Sequence, residues 1–122
     1  MIFRTDFYQL VQTTLGVALY PQVVPQDAPL PAASYQLVSA VQPQRTLEGG
    51  ITLQSHSWQV DIYSPDRATL DALANQLAAL DGTSSQAFQR ITVSDGRDGI
   101  ADSATALRTT IDIVTTNRRN RV

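Results

Sequence analysis

Four of the six prolines in this chain lie between Pro21 and Pro31, in the run LYPQVVPQDAPLPAASYQL. Each proline fixes its own φ angle and removes a backbone hydrogen-bond donor, and it keeps the preceding residue out of helical geometry. The sequence therefore predicts that residues 20–31 are extended and irregular. Any helix or sheet interior must lie on either side of this segment.

Two stretches have the three- and four-residue apolar spacing of an amphipathic helix, and each is followed by a glycine stop. The first covers residues 5–15, with Thr5 or Asp6 as its predicted cap. The second lies in SPDRATLDALANQLAALDG, where Ser64 is the predicted N-cap and Pro65 the first helical residue. Its predicted buried stripe consists of Leu70, Leu73, Leu77 and Leu80.

Four further stretches have the composition of strands, at residues 33–41, 51–63, 88–93 and 107–115. The second of them changes phase, because Ile51 and Leu53 are apolar at odd positions whereas the apolar residues from Trp58 onward are at even positions. Strand side chains alternate between faces, so this change predicts either a bulge or a strand whose two ends bury opposite faces.

The order helix, strand, strand, helix, strand, strand predicts an α+β fold, with an antiparallel or mixed sheet of four to five strands and two helices packed on one face. A length of 122 residues suits one domain, which we expect to cover residues 1–116. The remaining residues, 117–122, have no periodicity and are expected to form a mobile arginine-rich tail.

The composition excludes several kinds of chemistry. The chain has no cysteine and no lysine, which removes disulfides, thiolate metal sites, a P-loop and a Schiff base. The single histidine, His56, is predicted to lie at the surface of a strand, and DGRDGIAD lacks the ligand spacing of a calcium loop. We therefore predict no catalytic residue, no metal and no cofactor. Neither a membrane span nor a signal peptide is apparent.

With its elements placed, the chain resembles the small tail completion and tail terminator proteins of long-tailed bacteriophages. That family includes the gp17-like tail completion proteins and is related in fold to the tail terminator of phage lambda. The resemblance covers residues 7–80. It is carried by Tyr20 and Pro21, by the proline run that ends at Tyr35, and by WQVDIYS leading into an alanine- and leucine-rich helix.

The resemblance implies a structural virion protein that is not an enzyme. Such a protein forms a ring, a hexamer, at the head-proximal end of the tail, ends polymerisation of the tail tube and joins the tail to the neck. The implied partners are further copies of itself, the tail tube protein and the head-tail connector or neck protein, with DNA passing through the lumen. The implied place of synthesis is the host bacterial cytoplasm.

A ring of identical subunits needs heterologous contacts, in which one patch meets a different patch on the next copy. We expect the hairpin at residues 42–53 and the segment at residues 18–31 to form much of this boundary. The expected contact residues are Pro25, Pro29, Pro31, Arg45, Leu47, Ile51, Leu53, Arg97 and Asp98.

Two alternatives stay open. One is a neck or head-completion protein of the same particle. The other is a small nucleic-acid-binding regulator that uses Arg118, Arg119 and Arg121. Three arginines on a chain with a net charge of −2 offer few phosphate contacts, which makes the regulator the weaker of the two.

Overall fold

The computed structural model describes residues 2–25, 27–45, 51–85, 88–94, 96–99 and 107–120. The elements follow the chain as α1 (Ile2–Leu15), β1 (Ala18–Pro21), β2 (Ala32–Arg45), β3 (Ile51–Ser64), α2 (Arg67–Ala78), β4 (Arg90–Val93), β5 (Arg97–Gly99) and β6 (Leu107–Asn120). The strands form one sheet in the order β1-β2-β3-β6-β4, and β5 pairs with β6. Because β1 is parallel to β2 and the other pairs are antiparallel, the sheet is mixed. The predicted α+β fold is confirmed.

The core lies between the two helices and one face of the sheet. Its central side chains on β3 and β6 are Trp58, Val60, Ile62, Ile111 and Ile113. Phe7 of α1 stacks on the Trp58 ring, with 4.2 Å between ring centroids and 6° between the planes. Three of the four predicted leucines of α2 are buried in the same cluster, and Leu80 packs against it while partly exposed. Both helices therefore cover one face, as the sequence predicts.

The helix ends differ in part from the prediction. Helix α1 begins at Ile2, earlier than the predicted Thr5 or Asp6, and it ends before Gly16, whose N–H donates to the Gln12 carbonyl at 2.8 Å. The N-cap of α2 is Asp66 rather than Ser64, which makes the predicted cap wrong. The reason is that β3 continues through Ser64, which is buried and pairs with β6, so the helix cannot begin until the chain has left the sheet.

The phase change in the sequence of β3 is not a bulge in that strand. The register between β3 and β6 runs without a shift from Ile51 opposite Asn120 to Ser64 opposite Leu107. The irregularities lie instead in β2, between Leu37 and Ser39 and between Val41 and Gln44. Because β3 has no bulge, the alternation along the strand continues unbroken from the odd positions 51 and 53 to the even position of Trp58.

Two stretches lie in strands that the sequence did not predict. Residues 18–21 pair with residues 32–35 as the parallel edge strand β1, where the missing N–H of Pro21 is tolerated. Strand β6 reaches Asn120, so residues 117–120 pair with β3 instead of forming an irregular tail. Side-chain periodicity did not indicate this pairing, which is made by the main chain. Strand β5 lies in DGRDGIAD, outside the four stretches predicted as strands. No helix among the described residues is long and apolar enough to span a membrane.

Candidate partner interface

The described side chains do not form a recognisable reactive centre. No group of three or more potential metal ligands comes together in the described part of the chain. His56 is 5% exposed and lies tilted against Trp58 with 6.1 Å between centroids, so the expected surface position is wrong. Its burial lowers the pKa of the imidazole below the usual 6.5. A histidine packed in this way belongs to the buried interior of the chain.

One side of β2 is an open sheet edge over most of its length. Strand β1 pairs only with residues 32–35, whereas β2 runs to Arg45, so no described strand covers it from Gln36 onward on that side. Residues 36–44 read QLVSAVQPQ and contain no charge. Val38 lies at the first irregularity of β2 and is 57% exposed. An uncharged edge with an exposed valine is a surface that can pair with another chain.

The segment at residues 22–31, which we call the proline arm, begins where this edge begins. The N–H of Gln22 donates to the Tyr35 carbonyl at 2.8 Å. Gln22 itself has a φ of 67°, and this backbone angle turns the chain away from β2. Val23 is 73% exposed and Leu30 is 36% exposed. Of the predicted contact residues in the arm, Pro25 and Pro29 are exposed and Pro31 is half-buried. The arm thus presents apolar side chains beside the open edge.

The far end of the sheet brings together several of the predicted residues. The register places Arg45 and Arg119 on either side of Thr52, and it places Arg118 opposite Leu53. Ile51 lies two residues before Leu53 in β3 and pairs with Asn120. Leu47 and Arg121 lie outside the described residues. Residue spacing gives no sign that the hairpin and the C-terminal arginines meet, whereas pairing between β3 and β6 places them at the same end of the sheet.

Arg97 and Asp98 do not belong to this end of the sheet. Strand β5 pairs with residues 108–110, near the start of β6. At roughly 3.3 Å per residue, the nine steps from Thr110 to Arg119 span about 30 Å. These two predicted contact residues therefore lie apart from the hairpin and from its arginines.

The β4 part of the opposite edge of the sheet is covered by the chain itself. The N–H of Gly82 donates to the Ile91 carbonyl at 2.8 Å, and the N–H of Ile91 donates to the Thr83 carbonyl at 3.0 Å. The N–H of Val93 donates to the Asp81 carboxylate at 2.8 Å. Strand β4 therefore has its outward main-chain groups bonded, in contrast to β2.

The face of the sheet that the two helices leave uncovered is polar. Thr110 donates to the Asp61 carboxylate at 2.5 Å, and the Gln59 amide lies 3.4 Å from the same carboxylate. The hydroxyls of Ser55 and Thr116 are 3.2 Å apart across β3 and β6. Hydroxyl, amide and carboxylate groups that bond to one another stabilise this face without forming a reactive pair.

The open β2 edge is the feature that sequence reasoning missed. It depends on where β1 stops pairing, which residue spacing does not reveal. One signal was present, because residues 36–44 carry no charge, and strands at a sheet edge usually carry charges that prevent association.

Comparisons with known proteins point to one family. The sequence matches the family model described as tail completion protein gp17 over residues 9–117. A chain in the virion of a native gene transfer agent particle is 16% identical, with a TM-score of 0.55 over 90% of this chain and 85% of that chain. A second solved structure is 14% identical, with a TM-score of 0.59 over 98% of this chain and 92% of its own. At these identities the two structures show a shared fold. The comparison with curated protein sequences gives no match.

Proposed function

This chain belongs to the family of tail completion protein gp17, and from that premise we propose that it forms a ring that ends the tail tube of a phage-like particle. Family membership supports a structural role in a phage tail. In this proposal the ring is a hexamer at the head-proximal end of the tail. It stops polymerisation of the tail tube and presents a surface to the neck or connector protein. DNA would pass through its lumen. The role is one of assembly and not of catalysis.

The observation that carries the proposal is the inequality of the two sheet edges. A closed ring needs two different patches on each subunit, because each copy contacts the next in a head-to-tail sense. Among the described residues no strand pairs with β2 beyond Tyr35 on that side, and Val38 is exposed there, whereas the β4 edge is bonded by residues 81–83. Because the β4 edge is bonded, a head-to-tail contact at the β2 edge would be made with another patch of the next copy, such as the segment that exposes Val23.

A deletion experiment tests this function. A bacterial strain that produces the particle but lacks the gene for this chain is expected to assemble tails of irregular and excessive length. Electron microscopy should show that these tails carry no heads. Supplying the chain from a plasmid is the matched control and should restore a single tail length. Tails of normal length joined to heads in the deletion strain would contradict the proposal.

A second readout separates the proposed role from the neck alternative. A neck or head-completion protein would leave tail length uniform when deleted and would produce complete tails beside unjoined heads. The distribution of tail lengths in the deletion strain therefore distinguishes the two roles within one set of micrographs.

A further inference from the structure

The open edge of β2 needs a partner strand. Among the described residues, no neighbouring strand covers this side of β2 beyond Tyr35, where β1 stops. Natural sheets protect such edges with charges, prolines, bulges, short strands or a covering segment, and of these β2 has Pro43 and two register irregularities. Here residues 36–44 are uncharged, and Val38 is 57% exposed at this edge. These features suit an edge that is completed by another chain.

The proline arm has a hydrogen-bonding pattern that fits such an edge. In an extended chain the N–H and C=O groups of consecutive residues point to alternate sides. Pro25 is the proline that lies within residues 22–25, and in an extended stretch its missing donor falls on the side of the odd-numbered residues. The even-numbered residues Gln22 and Val24 keep their N–H groups on the other side. An extended stretch around Val23 therefore has its full row of donors on that side only.

The arm does not use its own β2 edge. After one hydrogen bond from Gln22 to Tyr35, the positive φ of Gln22 turns the chain away. The arm then folds back through a turn in which the Ala28 N–H donates to the Pro25 carbonyl at 3.0 Å. This course leaves Val23 73% exposed. Strand β4 is no alternative donor to the edge, because residues 81–83 already occupy its outward groups.

We propose that residues 22–25 of one copy add as a short strand to the open β2 edge of the next copy, beside Val38. This inference rests on the proposed ring and names the contact that closes it. The contact is heterologous, since arm and edge are different patches of the same chain. Pro25 reduces the entropy that this stretch loses when it docks. The side that carries Pro25 faces away and hinders a further strand from adding.

A crosslinking experiment tests the contact directly, because the chain has no cysteine of its own. Val23→Cys and Val38→Cys replace exposed side chains, so both variants are expected to fold. The two variants, one carrying a mass tag, are mixed, assembled onto purified tail tubes and treated with a short bismaleimide. The expected product is a covalent pair with one copy of each variant, formed in the assembled sample and absent from the free chains.

Matched controls make each outcome decisive. Leu107→Cys, which is 40% exposed at the start of β6, replaces Val38→Cys in the control mixture and should give no pair with Val23→Cys. Pairs of two Val38→Cys copies would show edge-to-edge association and overturn the inference. In the doubly substituted chain, a link confined to one chain would also overturn it, since the arm would then be using its own edge.

The same samples separate this inference from the proposed function. Rings seen by electron microscopy without the mixed pair would overturn the arm contact and leave the ring intact. Absence of any ring on tails that nevertheless have normal length would overturn both. A charged variant adds a second readout: Val38→Arg is expected to abolish ring formation and Val38→Thr to retain it, while both free chains keep the thermal stability of the parent.

Discussion

The indole N–H of Trp58 donates a hydrogen bond of 2.9 Å to the hydroxyl of Thr115, and both side chains are almost completely buried between β3 and β6. This bond ties the aromatic centre of the core to the strand that carries the C-terminal arginines. Phe7 stacks on the same indole ring from α1. Trp58 thus connects α1, through Phe7, to β6, through Thr115.

Thr115→Val is expected to destabilise the chain by about 1–3 kcal/mol, because it leaves the Trp58 N–H buried without its acceptor. Urea unfolding monitored by tryptophan fluorescence measures the change. Thr115→Ser keeps the hydroxyl and is the matched control, so it should lose less stability than the valine variant. Equal losses in the two variants would mean that the hydrogen bond contributes nothing measurable.

Phe7→Ala is expected to cost about 3–5 kcal/mol, because it removes a fully buried ring that is stacked on Trp58. Phe7→Leu fills more of the space and should lose clearly less. Calorimetry of both variants gives the comparison. A loss below about 1 kcal/mol for the alanine variant would show that α1 is not held by this contact.

Gly16→Ala is expected to destabilise the chain by roughly 1–2 kcal/mol, because Gly16 has a φ of 70° and an alanine is strained in that conformation. An added Cβ meets nothing within 4 Å, so the loss of stability reports the backbone strain and not a steric clash. Gly16→Asn is the control, since asparagine tolerates left-handed geometry better than alanine. The midpoint temperature of thermal unfolding should be higher for Gly16→Asn than for Gly16→Ala. The reverse order would contradict the expected backbone strain.

Stability is expected to fall as the pH decreases below 6.5, because burial lowers the pKa of His56 in the folded chain. The unfolded chain then binds a proton more readily than the folded chain, so the contribution of this group is complete above pH 6.5 and is lost as the pH falls through the folded pKa. The difference in unfolding free energy between the parent and His56→Gln, followed as a function of pH, measures the contribution of His56. A difference that does not change between about pH 7.5 and pH 5 would contradict the lowered pKa.

The sequence predicted the parts of the fold that side-chain spacing encodes. The leucine stripe of α2, the apolar face of α1 around Phe7 and the alternation around Trp58 all follow from periodicity, and each is confirmed in the core. The extent of β6 and the existence of β1 were missed. Both depend on main-chain pairing between segments distant in sequence, to which side-chain spacing is blind.

The interface residues named from the sequence stay predictions. Pro25 and Pro29 are exposed, and strand register pairs Leu53 with Gln44, next to Arg45 in β2, but neither observation shows a contact with a partner. The open stretch of β2 was not predicted. Long-range register decides which stretch of a strand is left unpaired.

The most direct test of the central claim is cryo-electron microscopy of purified tails that carry an epitope tag on this chain. If this chain forms the proposed ring, tag density and a six-fold ring are expected at the head-proximal end of each tail and nowhere else. Tag density along the tube, on the head shell or at the distal tip, or no ordered ring at the labelled site, would contradict it.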